Sequence, residues 1–224
     1  MGIPKIAPYR MPQRGELPEN VAQWSVDPQR AVLLVHDMQK YFLQSFPAGQ
    51  SPLVELVQNS VLIRQKCSRL GIPVAYTAQP GSMTEEERGL LVDFWGPGMT
   101  AEPEQRGIID ELAPEAGDHV FTKWRYSAFH NTDLLQTMRS LGRDQLIICG
   151  VYAHLGILMT AFEAFAHDIQ PFLVVDSVAD FGESQHRMCV EYAAQRCAMA
   201  VTTEDVLTGL DAPVGARAAA VAVR

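Results

Sequence analysis

Three apolar runs in this 224-residue chain end on residues that matter for chemistry. Asp37 follows Ala31-Val-Leu-Leu-Val-His36, and Lys123 follows His119-Val-Phe-Thr122. The third run, Gln145-Leu-Ile-Ile-Cys149, breaks at Gly150 and passes through Tyr152 and His154 to Gly156. A carboxyl set between a buried strand and aromatics such as Phe42 is desolvated, which favours the protonated form that a general acid needs at neutral pH. An ammonium beside it favours the ionised form, so the balance turns on whether a bound anion neutralises the lysine. The glycine brings no reactive atom. Taken singly, Asp37 also reads as a turn or helix-capping residue and Lys123 as a solvated surface cation. Trp124 and Tyr126 beside the lysine argue for an enclosed setting.

Strand ends have to bring such residues together. Six segments read as strands: Ala31 to His36, Pro73 to Ala78, His119 to Thr122, Gln145 to Cys149, Pro171 to Val175 and Ala198 to Thr202. Most are short continuous apolar runs, as in parallel strands buried on both faces. Helical patterns lie between them. Leu53 to Leu70 is closed by Gly71, and Leu134 to Leu141 is capped from Asn131-Thr-Asp133 and closed by Gly142. His154 to His167 and Glu183 to Arg196 complete the alternation. The expectation is a single α/β domain, a Rossmann-like, mostly parallel sheet of about six strands with helices on both faces. Ligands in such sheets bind at the carboxyl ends of the strands, where Asp37, Gln79, Lys123 and the 150–156 turn all fall. Residues 1–28 read as a proline-bearing arm, 29–210 as the domain and 211–224 as an Ala-rich tail. Pro80 to Asp118, with a short helical pattern around Thr84 to Asp93, is either a wall or lid of a site or a plain surface excursion.

Composition narrows the function. A net charge of -8 with no basic block argues against nucleic acid and for a small-molecule partner. No run approaches the ~20 apolar residues that span a bilayer, and prolines interrupt the N-terminal stretch where a signal sequence would need an apolar core. A cytoplasmic protein is expected, its four cysteines, without CxxC spacing, serving as reduced structural thiols. The six histidines form no HExxH and no close ligand pair, so no metal is expected, and His154 reads as a helix-start residue. G-x-G-x-x-G after the first strand, G-x-x-x-x-G-K-[ST] and G-x-S-x-G are all absent, which disfavours a dinucleotide cofactor, a P-loop and a serine nucleophile elbow. On composition alone Arg88 is one charge on an exposed acidic helix, Gln79 a turn residue and Trp95 a core anchor.

Asp37 to Phe42, Gln79-Pro-Gly-Ser-Met-Thr-Glu-Glu, Leu91-Val-Asp-Phe-Trp-Gly-Pro-Gly98, Lys123 to Ala128 and Cys149 to Asp180 together resemble the isochorismatase-like hydrolase superfamily, over about Ser25 to Leu210. Amidase members of that superfamily use an Asp, Lys, Cys triad whose cysteine falls at Gly156. The nicotinamidase metal motif, Asp-Trp-His-Pro, is replaced here by Ala78-Gln-Pro-Gly81. Isochorismatases, above all the stand-alone type of phenazine biosynthesis, are the most similar subgroup. That resemblance implies a homodimer needing no cofactor and a dicarboxylate substrate, isochorismate or 2-amino-2-deoxyisochorismate. It implies Asp37 as general acid, with Lys123 and Arg88 orienting the dianion and Phe42, Gln79, Trp95, Tyr126 and Tyr152 lining the pocket. Gly156 would offer its N–H to a substrate oxygen, in room left by the missing side chain. A vinyl ether needs only a proton on its terminal methylene and a water on the resulting oxocarbenium ion, so a site without a nucleophile suffices. The alternatives are a siderophore-pathway isochorismatase, a nicotinamidase-like amidase using some other cysteine, although Cys149 at the strand end is misplaced for that geometry, and a non-catalytic binding module.

Overall fold

The computed structural model describes residues 2–212. The strands are β1 (Ala31–His36), β2 (Val74–Ala78), β3 (His119–Thr122), β4 (Gln145–Val151), β5 (Gln170–Ala179) and β6 (Met199–Val201). They form one parallel sheet in the order β3-β2-β1-β4-β5-β6. The helices are α1 (Lys40–Leu43), α2 (Leu53–Arg69), α3 (Glu85–Arg88), α4 (Leu91–Trp95), α5 (Pro103–Arg106), α6 (Leu134–Ser140), α7 (Leu158–Ala166), α8 (Glu183–Arg196) and α9 (Thr203–Asp211).

Continuous apolar strands follow from burial on two faces, because successive side chains point to opposite sides. Leu33 and Val35 of β1 pack into a core with Leu56 and Ile63 of α2 and Val206 of α9. Val32 and Leu34 face the other core, with Met138 of α6, Ala161 of α7 and Val190 of α8. Strand order reverses direction between β1 and β4, and the crevice beyond their carboxyl ends is where such sheets accept ligands.

Some elements differ from the sequence reading. β5 continues four residues beyond Val175, through Asp176 and Ser177, which look like the end of a strand. There its pairing with β4 jumps from Ile148↔Leu173 to Gly150↔Val178, and Asp176 accepts hydrogen bonds from the Thr203 amide and hydroxyl. β4 likewise runs two residues past Cys149. Thr202, expected in β6, instead caps α9 by accepting from the Asp205 amide. The helix expected from His154 begins as a π-helical turn, Ala153–Ile157, before α7. Among the proposed capping residues of α6, the Thr132 hydroxyl accepts from the Leu134 amide at 3.3 Å, while Asp133 makes no side-chain cap. The pattern at Thr84 to Asp93 splits into α3 and α4 at Gly89. Asp211 belongs to α9, and residues 213–224 of the expected tail lie outside the described residues.

Candidate active site

Asp37, just past β1, carries a left-handed backbone (φ 52°), a conformation costly enough for a non-glycine residue that it persists where the surroundings over-determine it. Its neighbours supply that constraint. The Thr77 hydroxyl at the end of β2 donates to Asp37 Oδ1 at 2.7 Å, and Lys123 Nζ lies 2.7 Å from Oδ2. β3 is two strands from β1, about 9–10 Å at sheet spacing, so Lys123 must extend back over the end of β2 to reach the carboxylate. Its amide first continues the sheet ladder onto the Ala78 carbonyl at 2.9 Å. Both charged groups are buried, Asp37 to 5% exposure and Lys123 to 2%.

The pair opens into a pocket that also contains Phe42, Gln79, Arg88, Trp95, Tyr126, Tyr152 and Gly156, so the structure brings together the residues expected to act on or line a substrate, while Trp124, Cys149 and His154 lie outside the lining. Arg88 is buried instead of sitting on an exposed acidic helix. Its Nε donates to the Gly96 carbonyl at 2.9 Å and its Nη1 to Gln79 Oε1 at 3.0 Å. Among the described residues no carboxylate pairs with it, and burial works against its charge. Gly98 leaves the guanidinium its space, since a Cβ there would lie 2.7 Å from Cζ. Arg88, Leu91 and Trp95 of the 80–118 segment therefore form one wall of the pocket, and the buried Gln39 ties the segment to the sheet. Gln39 donates to the Gln79 and Arg106 carbonyls at 2.9 and 2.7 Å and accepts from the Gln79 amide at 2.8 Å.

The aromatic lining is linked. Trp95 Nε1 donates to the Tyr126 hydroxyl at 2.9 Å, and Phe181 packs between Trp95 and Tyr152, with ring centroids 5.7 and 4.5 Å away. Tyr152 presents its ring but not its hydroxyl, which donates to the Phe42 carbonyl at 2.7 Å. At Gly156 the sequence reading is corrected: the room beside the missing side chain is filled. A Cβ there would lie 2.3 Å from Cε1 of His36 and 3.1 Å from the Tyr126 carbonyl. His36 is fully buried, with Nδ1 on the Val151 carbonyl at 2.9 Å and Nε2 near the Thr160 hydroxyl at 3.3 Å. Burial pushes its pKa down to about 4, so the imidazole is neutral at pH 7.

Other contributors were not singled out in the sequence. Arg125 lines the pocket, and its place in Lys123-Trp-Arg-Tyr126 was the available signal. Together Arg88, Lys123 and Arg125 outnumber the single lining carboxylate, Asp37, which suits an anionic ligand. Asp180 anchors the turn that carries Gly156. It accepts from the His154 amide at 2.7 Å and meets His154 Nδ1 at 2.6 Å, consistent with His154 as a helix-start residue. Ile3 of the arm reaches the pocket, and the Tyr9 hydroxyl accepts from the Asp180 amide at 2.8 Å. Neither had a sequence signal. No cysteine lines the pocket. Cys149 Sγ faces the Leu34 carbonyl at 3.6 Å, and burial pushes its thiol up to about 12, so a reactive thiolate is disfavoured.

The carboxyl edge of the parallel sheet thus gathers a carboxyl, a lysine and two guanidinium groups in one pocket, an arrangement suited to an anionic ligand. The fold is shared with a cysteine hydrolase from Pseudomonas syringae pv. phaseolicola, at a TM-score of 0.77 and 22% identity, over 86% of this chain and 96% of that one. The sequence model of the isochorismatase domain matches residues 31–205. The phenazine biosynthesis protein PhzD1 of Pseudomonas aeruginosa is 59% identical over 206 residues, 92% of this chain and 99% of that protein. An isochorismatase of Bacillus subtilis is 56% identical over 210 residues, 94% of this chain and 67% of that protein. The chain belongs to the isochorismatase family of hydrolases.

Proposed function

We propose that this protein hydrolyses the enolpyruvyl ether of 2-amino-2-deoxyisochorismate or isochorismate, in phenazine biosynthesis, with Asp37 as the general acid. The observation that carries the reading is the buried Asp37–Lys123 pair, set beside Arg88, a buried cation with no carboxylate partner among the described residues. A substrate dianion satisfies both cations. The reaction starts with the Asp37 carboxyl carrying a proton beside the bound dianion. Asp37 then donates that proton to the terminal methylene, giving an oxocarbenium ion. Water adds to the ion and returns a proton to Asp37. The hemiketal collapses to pyruvate and the ring alcohol, trans-2,3-dihydro-3-hydroxyanthranilate or 2,3-dihydro-2,3-dihydroxybenzoate, with one water consumed overall.

Lys123, Arg88 and Arg125 hold the carboxylates, while Trp95, Tyr126 and the faces of Phe42 and Tyr152 enclose the ring. No step calls for a metal or an organic cofactor. A covalent amidase route lacks support, because Gly156 offers no side chain and Cys149 is buried away from the pocket. Cytoplasmic residence is supported by four buried free cysteines and by the lack, among the described residues, of a helix long and apolar enough to cross a membrane. A homodimer is supported by exposed Met159, Phe162 and Phe165 on α7 and Met188 and Tyr192 on α8, two helices that pack together.

The test is pyruvate release from the two substrates side by side. Turnover of either supports ether hydrolysis, and the ratio of kcat/KM assigns the ring substituent. Tight binding of both without pyruvate release would overturn the enzymatic reading in favour of a binding module.

A further inference from the structure

The volume beside Gly156 is filled by His36. The last residue of β1, His36 lies next in the chain to Asp37, and its Nδ1 is 3.7 Å from Asp37 Oδ2. Position 156 lines the same pocket as Asp37 and Lys123, and a covalent route would need a hydroxyl or thiol side chain in that pocket. The chain cannot place one. A Cβ at 156 would come within 2.3 Å of His36 Cε1 and 3.0 Å of Nε2, well inside van der Waals contact. The ring has little freedom to yield: it is fully buried and bonded to the Val151 carbonyl at 2.9 Å, with Thr160 Oγ1 3.3 Å from its other nitrogen.

We propose that His36 is a specificity-determining residue of this site, filling the volume that a nucleophilic side chain at 156 would occupy, so that two residues and not one commit the pocket to non-covalent chemistry. The inference rests on the reading of the pocket as an acid site without a nucleophile. Gly156 and His36 then form a steric pair: position 156 accepts a side chain only when position 36 carries a smaller one. Valine at 36 keeps a β-branched strand residue while removing the ring, and leaves the Val151 carbonyl without its partner whether or not 156 is changed.

The experiment is a double-mutant cycle on the full chain, read in two ways. Gly156→Ala, His36→Val and the pair together are compared in Tm, and the same cycle is built with Gly156→Cys and read by iodoacetamide alkylation of the new thiol at pH 7. Gly156→Ala alone is expected to lower Tm, and the double variant to lose less than the sum of the two single losses. The thiol in His36→Val/Gly156→Cys is expected to alkylate at least tenfold faster than in Gly156→Cys. Strictly additive Tm losses, or equal alkylation rates, would overturn the proposal. Should Gly156→Cys not fold alone, the alanine cycle decides. Neither readout involves substrate, so failure of the wild-type protein to release pyruvate would defeat the proposed function and leave this steric pairing intact.

Discussion

Replacing Asp37 with asparagine tests the acid and the buried ion pair together. At 2.7 Å the Lys123–Asp37 attraction is about 6 kcal/mol in a medium of effective dielectric ~20. The amide keeps an acceptor for Thr77 or Lys123 but no charge, and Lys123, at 2% exposure, is left as a buried cation with little solvent to turn to. Breaking one side of such a pair costs about 3–5 kcal/mol, which for a domain of this size is a Tm loss of about 6–20 °C. Pyruvate release should fall by about 10²- to 10⁴-fold, the usual contribution of a positioned acid. The two effects are separable. Asp37→Asn/Lys123→Met removes both charges, so most of the lost Tm should return while turnover stays lost. Thermal unfolding of wild type, single and double variants, run beside a coupled pyruvate assay, reads both. Turnover of Asp37→Asn within tenfold of wild type would refute the acid role, and an unchanged Tm would refute the coupling between the two charges.

Arg88→Lys keeps the charge but loses the planar fork. With about 1.5–3 kcal/mol at stake in charge-assisted hydrogen bonds, kcat/KM should drop about 10- to 150-fold, and steady-state kinetics showing no change would remove Arg88 from substrate binding. His36 and His186 are buried, and desolvation pushes both down to about 4 in the folded protein, against about 6.5 unfolded. Below pH 6.5 the unfolded chain gains protons that the fold excludes. Stability should therefore fall between pH 6.5 and about 4, by up to about 1.4 kcal/mol per pH unit for each histidine; urea unfolding curves that coincide at pH 6.5 and 5 would contradict this. Tyr9→Phe removes the hydroxyl that accepts from the Asp180 amide and bonds His186 Nδ1 at 3.1 Å. A loss of about 1–3 kcal/mol is expected for the buried groups left unsatisfied, and unfolding indistinguishable from wild type would show that the arm does not brace the turn.

The sequence by itself determined the sheet and its orientation. Apolar runs buried on both faces allow little but parallel strands with helical crossovers, and the bounds of β1 and β3 agree with the sequence reading because each ends abruptly at a charged residue. It also determined which residues stand at strand ends. Less was legible where a polar residue finds its partner from distant chain: Asp176 and Ser177 look like the end of a strand, yet β5 runs through them because Thr203 satisfies the Asp176 carboxylate. Only the tertiary structure decided that Arg88 is buried, since an acidic helix with one arginine looks solvated until Gly98 and Gln79 are placed around the guanidinium. It alone brought Ile3 of the arm to the pocket and the Tyr9 hydroxyl to the Asp180 amide. It also decided what lies beside Gly156. The glycine is plain in the sequence as a missing nucleophile, but the ring that fills the gap belongs to a strand 120 residues earlier in the chain. That contact is set by the β1–β4 pairing of His36 with Gly150, and no local pattern encodes it.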